Sequence, residues 1–217
     1  MGRVINGVNG PVSGKIGNVV FCKWKGIDYI RSLPRLKKNR KPTSSQAVQR
    51  SKFSFMQKTL SHVVPLVRLG FMNYAANRTG HNSAMSYNLK EAVLEDDAGY
   101  KLHYEKFAFS KGSLPAPKDV KITQENDVIR FTWAEAKDEK ELDNHLNRTM
   151  LLLYPEGTKY MAWGKQFGNC RYEGSDTIAF VAQPGEGAKF HAYMAFIAED
   201  GSNNSSDSVY AGVIEIV

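Results

Sequence analysis

The sequence predicts an α+β N-terminal part, a β-hairpin plus helices, followed by an all-β sandwich. Three observations carry this prediction. Apolar residues at helical spacing run through residues 53–74. Two β-rich runs flank a two-residue step, Lys25-Gly26, as in a hairpin. After Pro117, seven short β-rich runs recur, separated by turn residues, which is the pattern of a small sandwich.

In chain order, residues 1–16 contain Gly2, Gly7, Gly10, Pro11 and Gly14 and few apolar residues, so they read as an arm or loop. Residues 17–24 and 27–31 form the expected hairpin; one hairpin alone is marginal in water and needs something to pack against. Residues 31–42 hold six cations with Pro34 and Pro42, which excludes a regular helix and leaves an extended basic connector. Thr43 with Gln46 fits a capping box, in which each side chain satisfies a free backbone donor of the first turn. The helix that follows carries Phe53, Met56, Leu60, Val63, Val67, Phe71 and Tyr74 at steps of three and four. Pro65 falls inside it and predicts a kink or break near Val64. A short helix is expected over 83–94, then a turn at Asp96–Gly99 and a half-buried strand over 100–104. Residues 112–117, with Pro115 and Pro117, read as a linker between two domains, 1–112 and 113–217. The sandwich strands are expected over 120–123, 128–133, 149–154, 160–163, 177–182, 190–198 and 208–216.

Composition narrows the function classes. At 217 residues, with 42% hydrophobic and 11% aromatic residues, the chain is long and apolar enough to build a core rather than remain disordered. No apolar run approaches the roughly 18 residues of a membrane span. The start lacks the apolar stretch of a secretory signal, and two distant cysteines make no disulfide framework. A cytoplasmic protein, or one built into a particle assembled in the cytoplasm, is the expectation. The net charge of +7 is unevenly spread: residues 1–60 hold thirteen Lys/Arg against the single acid Asp28, whereas residues 113–217 hold ten against sixteen acids. Such asymmetry implies separate jobs for the two halves, and it allows the basic part of one copy to meet the acidic part of another.

No catalytic constellation emerges. Gly10–Lys15 has the wrong spacing for a phosphate-binding loop, and Ile16 stands where a Ser or Thr would hold magnesium. His62, His81, His103, His145 and His191 show no metal-ligand spacing and read as structural. Cys22 reads as a small core residue and Cys170 as an exposed loop thiol. The acids between Asp138 and Asp143 lack the glycine turn of a calcium loop and read as a solvated loop. The chain is therefore read as non-enzymatic, with no cofactor, metal or small-molecule substrate.

The strongest signal is the basic segment. Lys23, Trp24, Lys25, Arg31, Arg35, Lys37, Lys38, Arg40, Lys41 and Arg50 are the candidate contact residues. Cations beside Trp24 and Tyr29 suit phosphate contacts with base stacking. They equally suit an acidic protein surface or a solvated loop, and composition does not separate the three. The leading expectation is a structural or assembly protein making protein–protein contacts, including self-association. The alternative is a nucleic-acid-binding protein using residues 23–58.

Two resemblances add to this reading. Residues 117–217 resemble a fibronectin type III or immunoglobulin-like sandwich, with Ile129–Trp133 similar to the second strand and Phe190–Ala198 similar to the sixth. The usual tyrosine of that sixth strand is not matched, because Met194 occupies the position and Tyr193 lies beside it. The whole chain resembles an uncharacterised bacterial family through Ser13–Val20, Trp24-Lys25-Gly26, Ile30–Pro34, Gln46 with Gln49–Phe53, Asn82 with Ala84–Asn88, and Gly112-Ser113-Leu114. That resemblance implies no activity. The Gly-rich arm, hairpin and basic helix start are also similar to small structural proteins of phage and prophage particles.

Overall fold

The structure is a computed structural model that describes residues 2–4, 12–24, 26–34, 41–96, 99–125, 127–134, 146–157, 160–179 and 187–216. The chain divides into two units, Met1–Ser45 and Gln46–Val217, and combines helices with antiparallel sheets.

The first unit is a four-stranded antiparallel meander in the order β1 (Gly2–Val4), β2 (Val12–Ile16), β3 (Val19–Trp24), β4 (Ile27–Ser32). The expected hairpin is present, with Trp24 opposite Ile27. Gly17 (φ 57°) and Gly26 (φ 84°) make the tight turns, where a Cβ would be strained. Residues 1–16, expected as an arm, supply two strands instead. Glycine-rich sequence weakens a strand, but ladder hydrogen bonds come from the backbone, which β3 provides.

The second unit opens with α1 (Ser44–Ser61), α2 (Val64–Gly70) and α3 (Gly80–Glu91). The predicted stripe breaks at Pro65, which sits in the first turn of α2, where its missing N–H costs nothing. Met56, Leu60, Val63, Val67 and Phe71 are buried as one face, while Phe53 and Tyr74 at its ends are exposed. α3 begins and ends about three residues before the expected range. Thr79 caps it, its hydroxyl accepting from the Asn82 N–H at 3.2 Å. A hairpin of β5 (Val93–Asp96) and β6 (Gly99–Leu102) follows.

Six of the seven expected C-terminal strands form over most of their ranges, and residues 160–162 of the remaining one are not strand; the observed strands are β7 (Lys121–Glu125), β8 (Val128–Thr132), β9 (Arg148–Pro155), β10 (Trp163–Lys165), β11 (Ser175–Ala179), β12 (Lys189–Ile197) and β13 (Val209–Glu215). β10 begins where its expected run ended. They make two antiparallel sheets, β11-β8-β7 and β10-β9-β12-β13. One core lies between the sheets and contains Ile129, Phe131, Leu151, Leu153, Phe190, Met194 and Phe196.

The other face of the four-stranded sheet is not a solvent face. Met150, Leu152, Tyr154, Tyr193, Ala195 and Ile197 join Met56, Leu60, Val67, Phe71 and Phe107–Phe109 in a second core. β9 and β12 are therefore buried on both sides, the condition that selects continuous apolar runs. Helices and C-terminal strands share that core, so the packing shows no break at 112/113, where the linker was expected.

That segment is held in a polar seam. The Lys111 N–H donates to the Gly70 carbonyl at 2.9 Å, the Leu114 N–H to the Ser205 carbonyl at 3.1 Å, and the Gly112 N–H to Asp207 at 3.2 Å. Ser110 donates to the Ser206 carbonyl and Ser205 to the Gly70 carbonyl, at 2.7 and 2.8 Å. Gly112 sits at a close approach of backbones, where a Cβ would meet the Ser205 carbonyl.

Candidate interaction surface

Among the described residues of the first unit, none is buried. A sheet of this size ordinarily hides one face. Here the register places Val20, Cys22, Trp24, Ile27, Tyr29 and Arg31 on one face and Val19, Phe21, Lys23, Asp28, Ile30 and Ser32 on the other. Ile16, Trp24, Ile27, Tyr29 and Ile30 are large apolar side chains exposed to solvent. They divide between the faces, with Trp24, Ile27 and Tyr29 on the first and Ile16 and Ile30 on the second.

The sheet sorts the candidate residues. Trp24 and Arg31 lie on one face with Tyr29 between them, and Lys15 joins them through its pairing with Val20. Lys23 lies on the opposite face, directly across from Asp28. Lys41 is exposed ahead of α1, and Arg50 is exposed on α1 in the second unit. Lys25, Arg35, Lys37, Lys38 and Arg40 lie outside the described residues, as do the acids at 138–143 and His145.

The second unit contains two buried polar groupings that sequence reasoning missed. Asp176 accepts hydrogen bonds from Thr149, from the Lys165 ammonium at 2.5 Å, and from the Asn169 and Thr177 N–H groups at 3.1 and 2.7 Å. A carboxylate so fully engaged ties β9, β10 and β11 together. The second grouping is aromatic. The His191 ring stacks on Tyr104 with centroids 3.6 Å apart, its Nδ1 lies 2.9 Å from the Tyr210 hydroxyl, and Tyr193 donates to the Tyr104 carbonyl at 2.7 Å. Burial pushes the His191 pKa down against a smaller opposing pull from Glu156. Burial likewise raises Tyr154 to about 12. A cleft of about 370 Å³ opens beside this group, lined by Phe55, Lys58, Tyr100, Tyr104, Tyr154 and Glu156. The unbroken apolar character of β9 and β12 was the sequence signal for burial around the aromatic grouping; the Asp176 grouping had none.

Cys170, expected as an exposed thiol, is buried, with its N–H donating to Glu173 at 2.7 Å in a turn of 3₁₀ helix over Arg171–Glu173. Cys22 is half-buried on β3. Among the described residues, no group of three His, Cys, Asp or Glu side chains is placed to hold a metal ion, and no helix is long and apolar enough to cross a membrane.

A family model covers residues 11–212, and the chain belongs to that family of unknown function (DUF6266). No curated protein matches the sequence.

Proposed function

We propose that the protein is a non-enzymatic structural or assembly protein that makes protein–protein contacts and self-associates. A component of a phage- or prophage-type particle, assembled in the cytoplasm, fits this role. The observation that carries the reading is the first unit: a four-stranded sheet with apolar side chains on both faces and no buried residue among those described. Sheets like this gain their missing apolar burial by association. The polar groups buried in the second unit are engaged in holding strands together, which favours a scaffold over a catalyst.

Residues 117–217 read as a fibronectin type III-like sandwich. Its fourth strand, β10, pairs with the third, β9, on the sheet of the sixth and seventh strands, and not with the first-strand sheet, where a constant immunoglobulin domain carries its fourth strand.

Nucleic-acid binding is the second reading, favoured by one observation: Trp24, Tyr29, Arg31 and Lys15 share a sheet face, pairing stacking rings with cations. Gel filtration with light scattering, before and after nuclease treatment, separates the two. Assembly predicts a multimer that survives nuclease. A species that collapses to a monomer on nuclease treatment refutes it in favour of nucleic acid, and a monomer throughout refutes self-association.

A further inference from the structure

We propose that β4 is the self-association edge, and that two copies of this chain join through it as an antiparallel pair centred on Ile30. The inference rests on the assembly reading and deepens it by naming the partner, the strand and the register.

β4 is an edge strand, paired only with β3 among the described residues, and all six of its residues are exposed. The phase of its hydrogen bonding follows from one contact: the Leu33 N–H donates to the Asn18 carbonyl at 2.9 Å. Antiparallel ladders alternate, so Ile27, Tyr29 and Arg31 also turn their backbone groups toward β3. Asp28, Ile30 and Ser32 turn their N–H and C=O groups to the open edge. Among the described residues, β4 has no proline, no lysine and no break in its register with β3, and its charged side chains are Asp28 and Arg31.

A second copy is the occupant that the residue pattern selects. In a two-fold antiparallel pair, residues directly opposite share a sheet face, so the axis passes through a residue. An axis at Asp28 sets two carboxylates against each other, and an axis at Arg31 sets two guanidiniums against each other. An axis at Tyr29 places Asp28 opposite Ile30 and Arg31 opposite Ile27, leaving each charge against an aliphatic side chain. An axis at Ile30 sets Ile30 against Ile30, Tyr29 against Arg31 and Asp28 against Ser32. Every polar side chain then meets a complementary one, and the Tyr29–Arg31 pairs have cation–π geometry available twice. The outward backbone groups of 28, 30 and 32 also meet one another in this register.

Ile30 is 64% exposed and its N–H lies outside the β3 ladder, so its side chain is replaceable without breaking the sheet. The full-length chain is compared with Ile30→Lys and Ile30→Glu by sedimentation. Each variant alone places like charges opposite on the axis and is expected to weaken association at least tenfold. An equimolar mixture of the two is expected to restore it. A wild-type multimer that neither variant weakens, or a mixture no better than its components, overturns the β4 proposal while leaving assembly standing. A wild-type chain that is monomeric throughout overturns both.

Discussion

Gly112→Ala distinguishes a linker from a packed seam, because the two readings predict opposite signs. In a flexible linker, exchanging Gly for Ala stabilises by about 0.4–1 kcal/mol, since the unfolded chain loses freedom while the native backbone accommodates the methyl group. In the structure, a Cβ at Gly112 stands 2.7 Å from the Ser205 carbonyl carbon and 2.8 Å from its hydroxyl oxygen, with the carbonyl oxygen nearer still. Ordinary carbon contacts lie near 3.5–4.0 Å, so something must move by about 1 Å. Ser205 is not free to move. Its carbonyl accepts from Leu114 and its hydroxyl donates to Gly70, so displacement strains the junction of α2, the 110–114 segment and the start of β13. Overpacking of this kind costs about 1–3 kcal/mol. For a unit of this size, about 2 kcal/mol lowers the Tm by roughly 4–8 °C. Thermal unfolding followed by circular dichroism reads this directly. A Tm equal to or above that of the wild-type chain refutes the packed seam and restores the linker.

Three further outcomes follow from the same packing. Trp133→Ala is expected to cost about 3–5 kcal/mol in urea denaturation, because the indole is buried against Phe196 and its N–H donates to the Arg171 carbonyl at 2.9 Å; a loss below about 1 kcal/mol contradicts its place in the core. The isolated fragment 113–217 is expected to show no cooperative transition, since Met150, Leu152, Tyr193 and Ile197 lose their covering helices; a sharp transition in that fragment contradicts the shared core. His191 has a folded pKa below its unfolded value, so the stability it contributes is complete above the unfolded pKa and is lost as pH falls through the folded one. Stability measured from pH 7.5 to 5 is expected to decline more steeply in the wild-type chain than in His191→Gln, and equal slopes contradict burial of a neutral imidazole.

The parts of the fold legible in the sequence are those with a single-sided pattern. The stripe from Met56 to Phe71, broken at Pro65, reads directly because one helical face is buried and the other is not. Six of the seven C-terminal strands read from their spacing and turns, and Trp133 from its position at the end of β8. What escaped reading was the layer joining them. Thr149–Tyr154 and Phe190–Ile197 are apolar on both faces, and such runs mark a strand without saying what covers each side. The segment at 112–117 shows a related limit. Gly112 and its neighbouring prolines have the composition of a loop, yet glycine also serves where backbones nearly touch, and local sequence does not separate the two uses.

The basic segment shows the same limit from the other direction. Counting cations treats Lys23, Trp24 and Arg31 as one cluster. The pleat divides them, sending Trp24 and Arg31 to one face with Tyr29 and Lys23 to the other beside Asp28. Charge supplies long-range attraction to an acidic partner or to phosphate, but exposed ion pairs contribute only about 0–1 kcal/mol each. Specific association therefore depends on what accompanies the charge. In this unit that is a row of outward backbone groups at Asp28, Ile30 and Ser32 and a set of exposed apolar side chains, among them Trp24, Ile27 and Tyr29. Both are properties of strand phase and register rather than of composition, so the feature that argues for assembly becomes visible only when β4 is seen as an edge.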